Sequence, residues 1–198
     1  MGLTKNDLNA HLFDFKRAVS EIRVTNQSGL CAETFIGVSR GVAQVIETHR
    51  KNGIVRFIGN GGSAAIAIHQ ATDFIRTCKI AAHAPLDISL LTCMGNDVGY
   101  ENVFAEPLRV LGKGEDVLIA ISSSGQSENI LNGVRVMREK GAAVITLSGF
   151  KEDNPLRRLG DINFYVPSES YRIVESAHLF ICNWLLEFII LALKPNLA

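Results

Sequence analysis

Cysteine pairs and excess charge, which mark whole classes of protein, are missing from this sequence of 198 residues. The four cysteines are widely scattered and none forms a C-x-x-C pair, which argues against a zinc ribbon and a redox dithiol. Twenty acidic and twenty basic side chains cancel, so the charge gives no reason to expect nucleic acid or an anionic membrane as a partner. What is left is an ordinary globular composition, 47% apolar, at a length that needs no disulfide or metal staple.

Long hydrophobic runs are also scarce. The opening residues, MGLTKNDLNAHLFDFKR, contain no uninterrupted apolar core and are not typical of a signal peptide. The most apolar segment, HLFICNWLLEFIILALK, is interrupted by Asn183 and Glu187 and is shorter than the roughly 20 residues of a membrane span. We therefore expect a cytoplasmic protein without a membrane partner.

The spacing of apolar residues predicts a single domain, residues 1–198, that begins with a pair of helices in residues 1–52. In two stretches of this part, apolar side chains recur at three- and four-residue steps, so each helix has an apolar stripe that must be covered. The apolar positions are Leu8, Leu12, Phe15, Val19 and Ile22, then Phe35, Val38, Val42, Val45 and Ile46.

From residue 53 onward, short apolar runs alternate with helical patterns. The runs, each bounded by Gly, Asp, Pro or Ser, are IVRFIG, LDISLL, DVLIAIS, AAVITLS and DINFYV. Continuous apolar runs are typical of strands that are covered on both faces. Residues 53–198 are therefore predicted to form an α/β core: an open, mostly parallel five-stranded sheet flanked by helices, with ligands at the carboxyl ends of its strands.

The end of this core is predicted to be one long helix over residues 170–193, apolar around most of its circumference. A helix of that kind is buried, either in the centre of the domain or against a partner subunit. No internal repeat, low-complexity tract or linker marks a second domain.

The segment GNGGSA at residues 59–64 follows the first of these strands and opens a helix. Gly61 and the glycines beside it let the backbone approach a ligand closely, and the unpartnered first N–H groups of a helix favour an anion. Ser63 adds a hydroxyl donor, and Asn60 lies in the same loop. The alternative is a Gly/Ser turn that only opens the helix.

The segment SSSGQSE at residues 122–128 has the same position between a strand and a helix. Ser127 is placed to cap that helix, but capping needs fewer hydroxyls than this loop offers. No lysine follows in the pattern of a nucleotide-binding P-loop, so we expect no nucleotide cofactor. Neutral donors at a helix N-terminus suit a small phosphomonoester. The hydroxyls are those of Ser122, Ser123, Ser124 and Ser127.

Both loops follow strands of one predicted sheet and therefore open on the same edge. Together, GNGGS and the later SSSGQS resemble the sugar isomerase (SIS) domain family. Within it, the chain is most similar to phosphoheptose isomerases and to their relative that associates with the replication initiator. The resemblance spans nearly the whole chain, including GND at residues 95–97, VITLSG and RIVESAH.

The resemblance implies a flavodoxin-like or Rossmann-like fold and a homotetramer whose active sites lie at subunit interfaces. It also implies a sugar phosphate as the small-molecule ligand. Around the sugar chain it places Asn60, Gly61 and Asp97, with an Asp97 that merely caps a loop as the alternative. The phosphate contacts that it implies are those of Ser63, Ser122, Ser123, Ser124 and Ser127.

Aldose–ketose isomerisation moves a proton between C1 and C2, so it needs a base there and an acid or metal ion to manage charge on the oxygens. His69 and Asp73 lie four residues apart, on one face of the helix that follows the first loop. The related isomerases carry a His and a Glu at these positions, so Asp73 keeps the carboxylate but is one methylene shorter. We interpret Asp73 as the base, with a structural His–Asp pair as the alternative.

The last helix supplies the opposite side of the implied site. The isomerases have a Gln and a His eight residues apart there, where this sequence has Glu175 and Asn183. Asn183 cannot exchange protons near neutral pH but can orient a substrate hydroxyl. His69, Asp73 and Glu175 offer one imidazole and two carboxylates, a set that suits a divalent metal such as Zn²⁺.

Three hypotheses follow. The leading one is an isomerase that converts sedoheptulose 7-phosphate to a heptose 7-phosphate, with Asp73, His69 and Glu175 as catalytic residues. Because the histidine is missing at position 183, the second is a non-catalytic SIS module that binds a sugar phosphate or acts as a tetrameric adaptor for a replication initiator. The third is an isomerase for a different phosphosugar.

Overall fold

The computed structural model describes residues 2–193 as three layers, with a mixed sheet between two sets of helices. The helices are α1 (Lys5–Ser20), α2 (Thr34–Arg50), α3 (Gly62–Asp73), α4 (Ile88–Asp97), α5 (Ala105–Leu111), α6 (Glu128–Glu139) and α7 (Tyr171–Leu193). The strands are β1 (Arg23–Thr25), β2 (Cys31–Ala32), β3 (Val55–Gly59), β4 (Ala82–His83), β5 (Val117–Ser122), β6 (Ala143–Ser148) and β7 (Ile162–Tyr165). A π-helical turn, Phe74–Cys78, continues α3.

The sheet has the strand order β2-β1-β7-β6-β5-β3-β4. Strands β4, β3, β5, β6 and β7 run parallel, and β1 and β2 add an antiparallel hairpin beside β7. Strands β3 and β5 are buried along their whole length, because helices α1, α2, α3 and α7 cover one face of the sheet and α4, α5 and α6 the other. The predicted open, mostly parallel α/β fold is confirmed, but the sheet has seven strands where five were predicted, because the β1–β2 hairpin adds two.

Two segments differ from the prediction. LDISLL was expected to be a strand but lies mainly in α4, because the Asp87 carboxylate accepts hydrogen bonds from the backbone N–H groups of Ser89 and Leu90 and caps a helix. The parallel strand at that edge is instead the two-residue β4. The expected N-terminal helices are present as α1 and α2, but the hairpin of β1 and β2 lies between them and extends the sheet.

The long C-terminal helix is confirmed as α7. It packs against α1, α2 and α3 and buries nine of its side chains, among them His178 and Leu185. Among residues 2–193 it is the one helix whose length and hydropathy would also suit a membrane span. Its packing inside the domain accounts for that apolar character, since a helix that is apolar all round is equally typical of a protein core.

A buried ion pair ties β3 to the start of β5, at the end of the sheet opposite the two loops. Arg56 donates from Nε to Asp116 Oδ2 at 2.9 Å, and both side chains are almost completely buried. Asp116 also accepts hydrogen bonds from the backbone N–H groups of Ile54 and Lys113, and Arg56 donates to the carbonyl of Leu111. Each charge therefore has several partners, which is the condition for burying it.

We predict that Asp116→Ala lowers the free energy of unfolding by about 3–5 kcal/mol, because the Arg56 guanidinium is then buried without its counter-ion. Urea unfolding followed by circular dichroism measures the change. The neighbouring Glu115→Ala, which removes an exposed carboxylate, is the control and is expected to stay within about 0.5 kcal/mol of the parent. Equal losses for the two variants would contradict the prediction.

Candidate functional site

The first loop makes a tight turn from β3 into α3. A Cβ on Gly59 would lie 2.5 Å from the backbone oxygen of Ser63, so only glycine fits there. Gly61 has a φ of +54°, a value that L side chains rarely adopt, and it occupies the N-cap position without a capping side chain. The first N–H groups of α3 therefore keep their capacity to bind an anion, with the buried Ser63 beside them.

The second loop joins β5 to α6. Ser127 occupies the N-cap position of α6, as predicted, but its hydroxyl makes no capping hydrogen bond, so that part of the prediction is wrong. The Ser122 and Ser127 hydroxyls instead lie 3.4 Å apart across the loop. A hydroxyl that is not used for capping is available to a ligand.

Because β3 and β5 are hydrogen-bonded neighbours, with Gly59 beside Ile121, both loops open on the same edge of the sheet. They enclose a cavity of about 120 Å³, which corresponds to about four water molecules at roughly 30 Å³ each. The prediction that the two loops come together is confirmed by this geometry. The cavity is lined by Asn60, Ser63, Ile121, Ser122, Ser123, Ser124, Ser127, Tyr171 and Glu175. We call its five serines the serine cradle.

Within the serine cradle, the Ser123 hydroxyl is buried and has no hydrogen-bond partner among residues 2–193. Buried polar atoms are almost always satisfied, so an unpartnered hydroxyl on a residue that lines the cavity is a candidate to bind a ligand. An oxygen of a bound phosphate would accept this hydrogen bond.

Contacts from β6 and the segment that follows it hold the serine loop in place. The backbone N–H of Gly149 donates to the Ser123 carbonyl at 3.0 Å, and that of Leu156 donates to the Gly125 carbonyl at 3.1 Å. Gly125 has a φ of +62°, and a Cβ there would collide with the Asn154 side chain. The loop therefore has one conformation, which requires glycine at position 125.

Asn60 lines the cavity, but its amide is largely occupied by protein partners. It exchanges two hydrogen bonds of 2.9 Å with the Asn129 amide, and its Oδ1 also accepts one from the Tyr100 hydroxyl. These contacts join the first loop to α6. Sequence reasoning did not identify Asn129, Tyr100 or the cavity-lining Tyr171, because nothing in their local pattern shows where they lie in space.

Asp97 lies at the end of α4, is exposed, and is not among the cavity-lining residues. It accepts hydrogen bonds from the Asn96 amide at 2.8 Å and the Cys93 thiol at 3.4 Å, and these bonds lower the pKa of the Asp97 carboxyl. Both donors are side chains of α4 rather than backbone N–H groups of a loop, so these bonds do not cap a loop. The link of Asp97 to the site in one chain is indirect, through the nearby Tyr100 that contacts Asn60.

His69 and Asp73 face each other on α3, as their spacing predicts. The distance from His69 Nε2 to Asp73 Oδ2 is 3.3 Å, and Arg76 lies 3.7 Å from the other carboxylate oxygen. The His69 side chain is mostly exposed and that of Asp73 mostly covered. The pair lies outside the lining of the cavity.

Helices α3 and α7 run side by side in the same direction, as two contacts eight residues apart on each helix show. The Glu175 carboxylate lies against Gly62, where a Cβ would be 2.6 Å from it, and Gln70 Nε2 donates to Asn183 Oδ1 at 2.8 Å. Asp73 is eleven residues beyond Gly62 in the sequence, or about 16 Å along the helix axis at 1.5 Å per residue.

The parallel packing of α3 and α7 separates the proposed metal ligands within one chain. Among residues 2–193 of one chain, no three His, Cys, Asp or Glu side chains come together as a metal site. His69 and Asp73 are paired, but Glu175 lies at the other end of α3. The set of three is therefore not assembled within a single chain.

His178 lies on α7 below the site, completely buried against the backbone of Ser148, and neither ring nitrogen makes a well-formed hydrogen bond. Burial lowers the pKa of His178 to about 4, and the Ser148 backbone opposes the shift only in part. Because His178 is completely buried and does not line the cavity, it is not a candidate for the acid or base of the site.

Comparison with known proteins agrees with this geometry. The family model described as the SIS domain matches residues 27–149. A phosphoheptose isomerase of Helicobacter pylori is 34% identical over 158 residues, covering 77% of this chain and 82% of the relative. One of Burkholderia pseudomallei is 34% identical over 178 residues, covering 86% and 90%. The structure of a phosphoheptose isomerase from Neisseria gonorrhoeae superposes with a TM-score of 0.82 at 28% identity, covering 93% and 98%.

We predict that Gly125→Ala weakens sugar-phosphate binding by about tenfold or more, because the added Cβ displaces the serine loop. Isothermal titration calorimetry measures the change. Gly141→Ala is a matched control, since Gly141 has a similar φ of +79° but open space around it. Both variants carry the backbone cost of a positive φ, so only a binding loss confined to Gly125→Ala supports the cradle, and equal losses would contradict it.

The buried His178 predicts a loss of stability in acid. The unfolded chain protonates this residue below its ordinary pKa of 6.5, whereas the folded protein does not until about 4. The stabilisation is therefore complete above pH 6.5 and is lost as the pH falls toward 4, by about 2 kcal/mol between pH 7 and pH 5. Chemical unfolding at these two pH values should show this difference in the parent and a smaller one in His178→Leu. An unchanged pH dependence in the variant would contradict the prediction.

Proposed function

We propose a function from one premise: the chain belongs to the SIS domain family, and within it to the phosphoheptose isomerases. The protein is an aldose–ketose isomerase that interconverts sedoheptulose 7-phosphate and a heptose 7-phosphate by moving a proton between C1 and C2. The observation that carries this proposal is the serine cradle, in which the Ser123 hydroxyl is buried without a partner.

The serine cradle suits the phosphate end of such a substrate. Its donors are neutral hydroxyls, supplemented by the free N–H groups at the start of α3, and it contains no lysine or arginine. Donors of this kind bind a terminal phosphomonoester and leave the sugar chain free to extend away from the cavity. Asn60, Gly61, Asp97 and Asn183 are proposed as contacts to that chain.

In this proposal, Asp73 takes the proton from C1 or C2 and returns it to the neighbouring carbon. His69, 3.3 Å from it, orients the carboxylate and the substrate oxygens. Glu175 orients the substrate from the cavity wall. Ser63 and Asp73 are ten residues apart on α3, about 15 Å along the axis, so an elongated substrate is needed to connect the cradle with the base.

A second copy of the chain is proposed to complete the site. His69 and Asp73 lie between two exposed isoleucines, Ile68 and Ile75, and α7 exposes Phe180, Phe188 and Leu191. Apolar surface of this extent is typical of a face that another subunit covers. We propose a homotetramer in the cytoplasm whose interfaces run through these helices.

Zinc is a further element of the proposal. Of the three proposed ligands, His69 and Asp73 already form a nitrogen and oxygen pair, and the third would have to be Glu175 of a second copy. When bound, zinc would stabilise negative charge on the substrate oxygens. The proton transfer itself is assigned to Asp73.

One observation favours a second candidate, a non-catalytic module that binds a sugar phosphate or serves as a tetrameric adaptor for a replication initiator. Asn183 stands where the related isomerases have a histidine, and its oxygen already accepts a hydrogen bond from Gln70. An amide in that state contributes no proton transfer. The serine cradle would be retained in either case.

A direct assay of isomerisation tests the proposed function. We expect purified protein, supplied with zinc and sedoheptulose 7-phosphate in deuterated water, to incorporate deuterium at C1 and C2, as observed by NMR. Asp73→Asn should lower that rate by about 10²–10⁴-fold, the usual contribution of a general base, while binding of the sugar phosphate changes little. Asp153→Asn, which alters an exposed carboxylate elsewhere, is the matched control.

Absence of exchange in the parent protein, with the sugar phosphate still bound, would contradict the isomerase and favour the binding module. Exchange that persists unchanged in Asp73→Asn would instead remove Asp73 from the mechanism.

A further inference from the structure

The cavity that contains the serine cradle has one charged wall. Of the nine side chains that line it, Glu175 is the only ionisable acid or base besides the Tyr171 phenol, and the remaining polar groups are hydroxyls and one amide. A negative charge is unexpected in a cavity whose other features attract an anion. The position of the Glu175 carboxylate therefore affects which anions can bind in the cavity.

Glu175 is held in place by packing rather than by partners. Its carboxylate lies against Gly62, the first residue of α3, and among residues 2–193 it makes no hydrogen bond or ion pair that would neutralise it. The Glu175 side chain is partly buried, so solvent screens the charge only in part. The cavity lining contains no cationic side chain: besides Glu175 it includes Ser63 of α3, the serines of the second loop and Tyr171 of α7.

A phosphate in the serine cradle would lie beside this carboxylate. Both anions are attracted to the same free N–H groups at the start of α3, and each repels the other at contact distance. A glutamine of the same shape would not repel the phosphate. In this chain, bare phosphate is therefore disfavoured by a charge that is built into the cavity.

A phosphate that carries a polyhydroxy chain offers compensation. A carboxylate accepts two or more hydrogen bonds, so neighbouring hydroxyls of the sugar can donate to both oxygens of Glu175. Inorganic phosphate has no such chain to reach the carboxylate from the cradle. The negative charge of Glu175 thus weakens the binding of inorganic phosphate, whereas the hydroxyls of a sugar phosphate can donate hydrogen bonds to it.

We propose that Glu175 is a specificity-determining residue that makes the serine cradle select phosphate attached to a polyol over free phosphate. This deepens the proposed function and rests on it only in taking the cradle as the phosphate site. Isomerisation need not occur for the selection to operate, because it acts on binding.

The experiment compares two ligands, inorganic phosphate and sedoheptulose 7-phosphate, by isothermal titration calorimetry on the full chain at constant ionic strength. We expect Glu175→Gln to bind inorganic phosphate about tenfold more tightly or better, and the ratio of the two affinities to fall by at least about tenfold, equivalent to about 1.4 kcal/mol. Glu139→Gln, which alters an exposed carboxylate twelve residues beyond Ser127 along α6, is the matched control and should leave both affinities unchanged, since about 18 Å exceeds the screening length in salt.

A gain in affinity for phosphate cannot result from a damaged fold, so this readout separates selection from a structural effect. Glu175→Ala, which also removes the charge, should shift phosphate binding in the same direction and serves if the glutamine variant does not fold. The proposal is overturned if neither substitution tightens inorganic phosphate beyond the Glu139→Gln control, including the case in which no variant binds it. Failure of sedoheptulose 7-phosphate to bind the parent would count separately, against the proposed function.

Discussion

The parallel hydrogen bonding of β3 to β5 is the constraint on which the rest of the site depends. Gly59 and Ile121 are paired in the last rung of that ladder, so the chain leaves both strands at the same level and starts α3 and α6 side by side. Two helix N-termini and five serine hydroxyls then face one small cavity. Glycine is required at 61 and 125 because both positions have positive φ, and at 59 because the turn is too tight for a Cβ. The phosphate site is thus a product of strand pairing and backbone geometry more than of charged side chains.

The second constraint is the packing of α7 along α3. It fixes Glu175 at the start of α3 and Asn183 two turns further on, and the two residues have different consequences. Asn183 is used by Gln70 and so reinforces the contact between the helices. Glu175 has no such partner and keeps its charge for the cavity. The same packing places the pair His69 and Asp73 far from Glu175 in one chain, which is why chemistry that uses all three needs a second copy of the protein.

Much of this could be predicted from the sequence, and the remainder could not for identifiable reasons. The two loops were recognisable as a pair, because each lies between an apolar run and a helical pattern, whereas one Gly/Ser turn alone often only opens a helix. LDISLL was mistaken for a strand because its apolar residues are continuous, while the decisive signal was the single capping residue Asp87. The spacing of His69 and Asp73 predicted their contact, since it is local to one helix. The contacts of Glu175 with Gly62 and of Asn60 with Asn129 join distant parts of the chain, and no local pattern reports them.

The serine cradle is proposed to hold the phosphate of a sugar phosphate, and the function proposed for the protein depends on it. A crystal structure of the protein grown with sedoheptulose 7-phosphate tests it most directly. We expect phosphate density between Ser63 and Ser127, with one phosphate oxygen accepting a hydrogen bond from the buried Ser123 hydroxyl, which has no partner in the protein. We also expect the sugar chain to leave the cavity past Glu175. Phosphate bound elsewhere, or a fully occupied ligand that leaves the Ser123 hydroxyl without a partner, would contradict it.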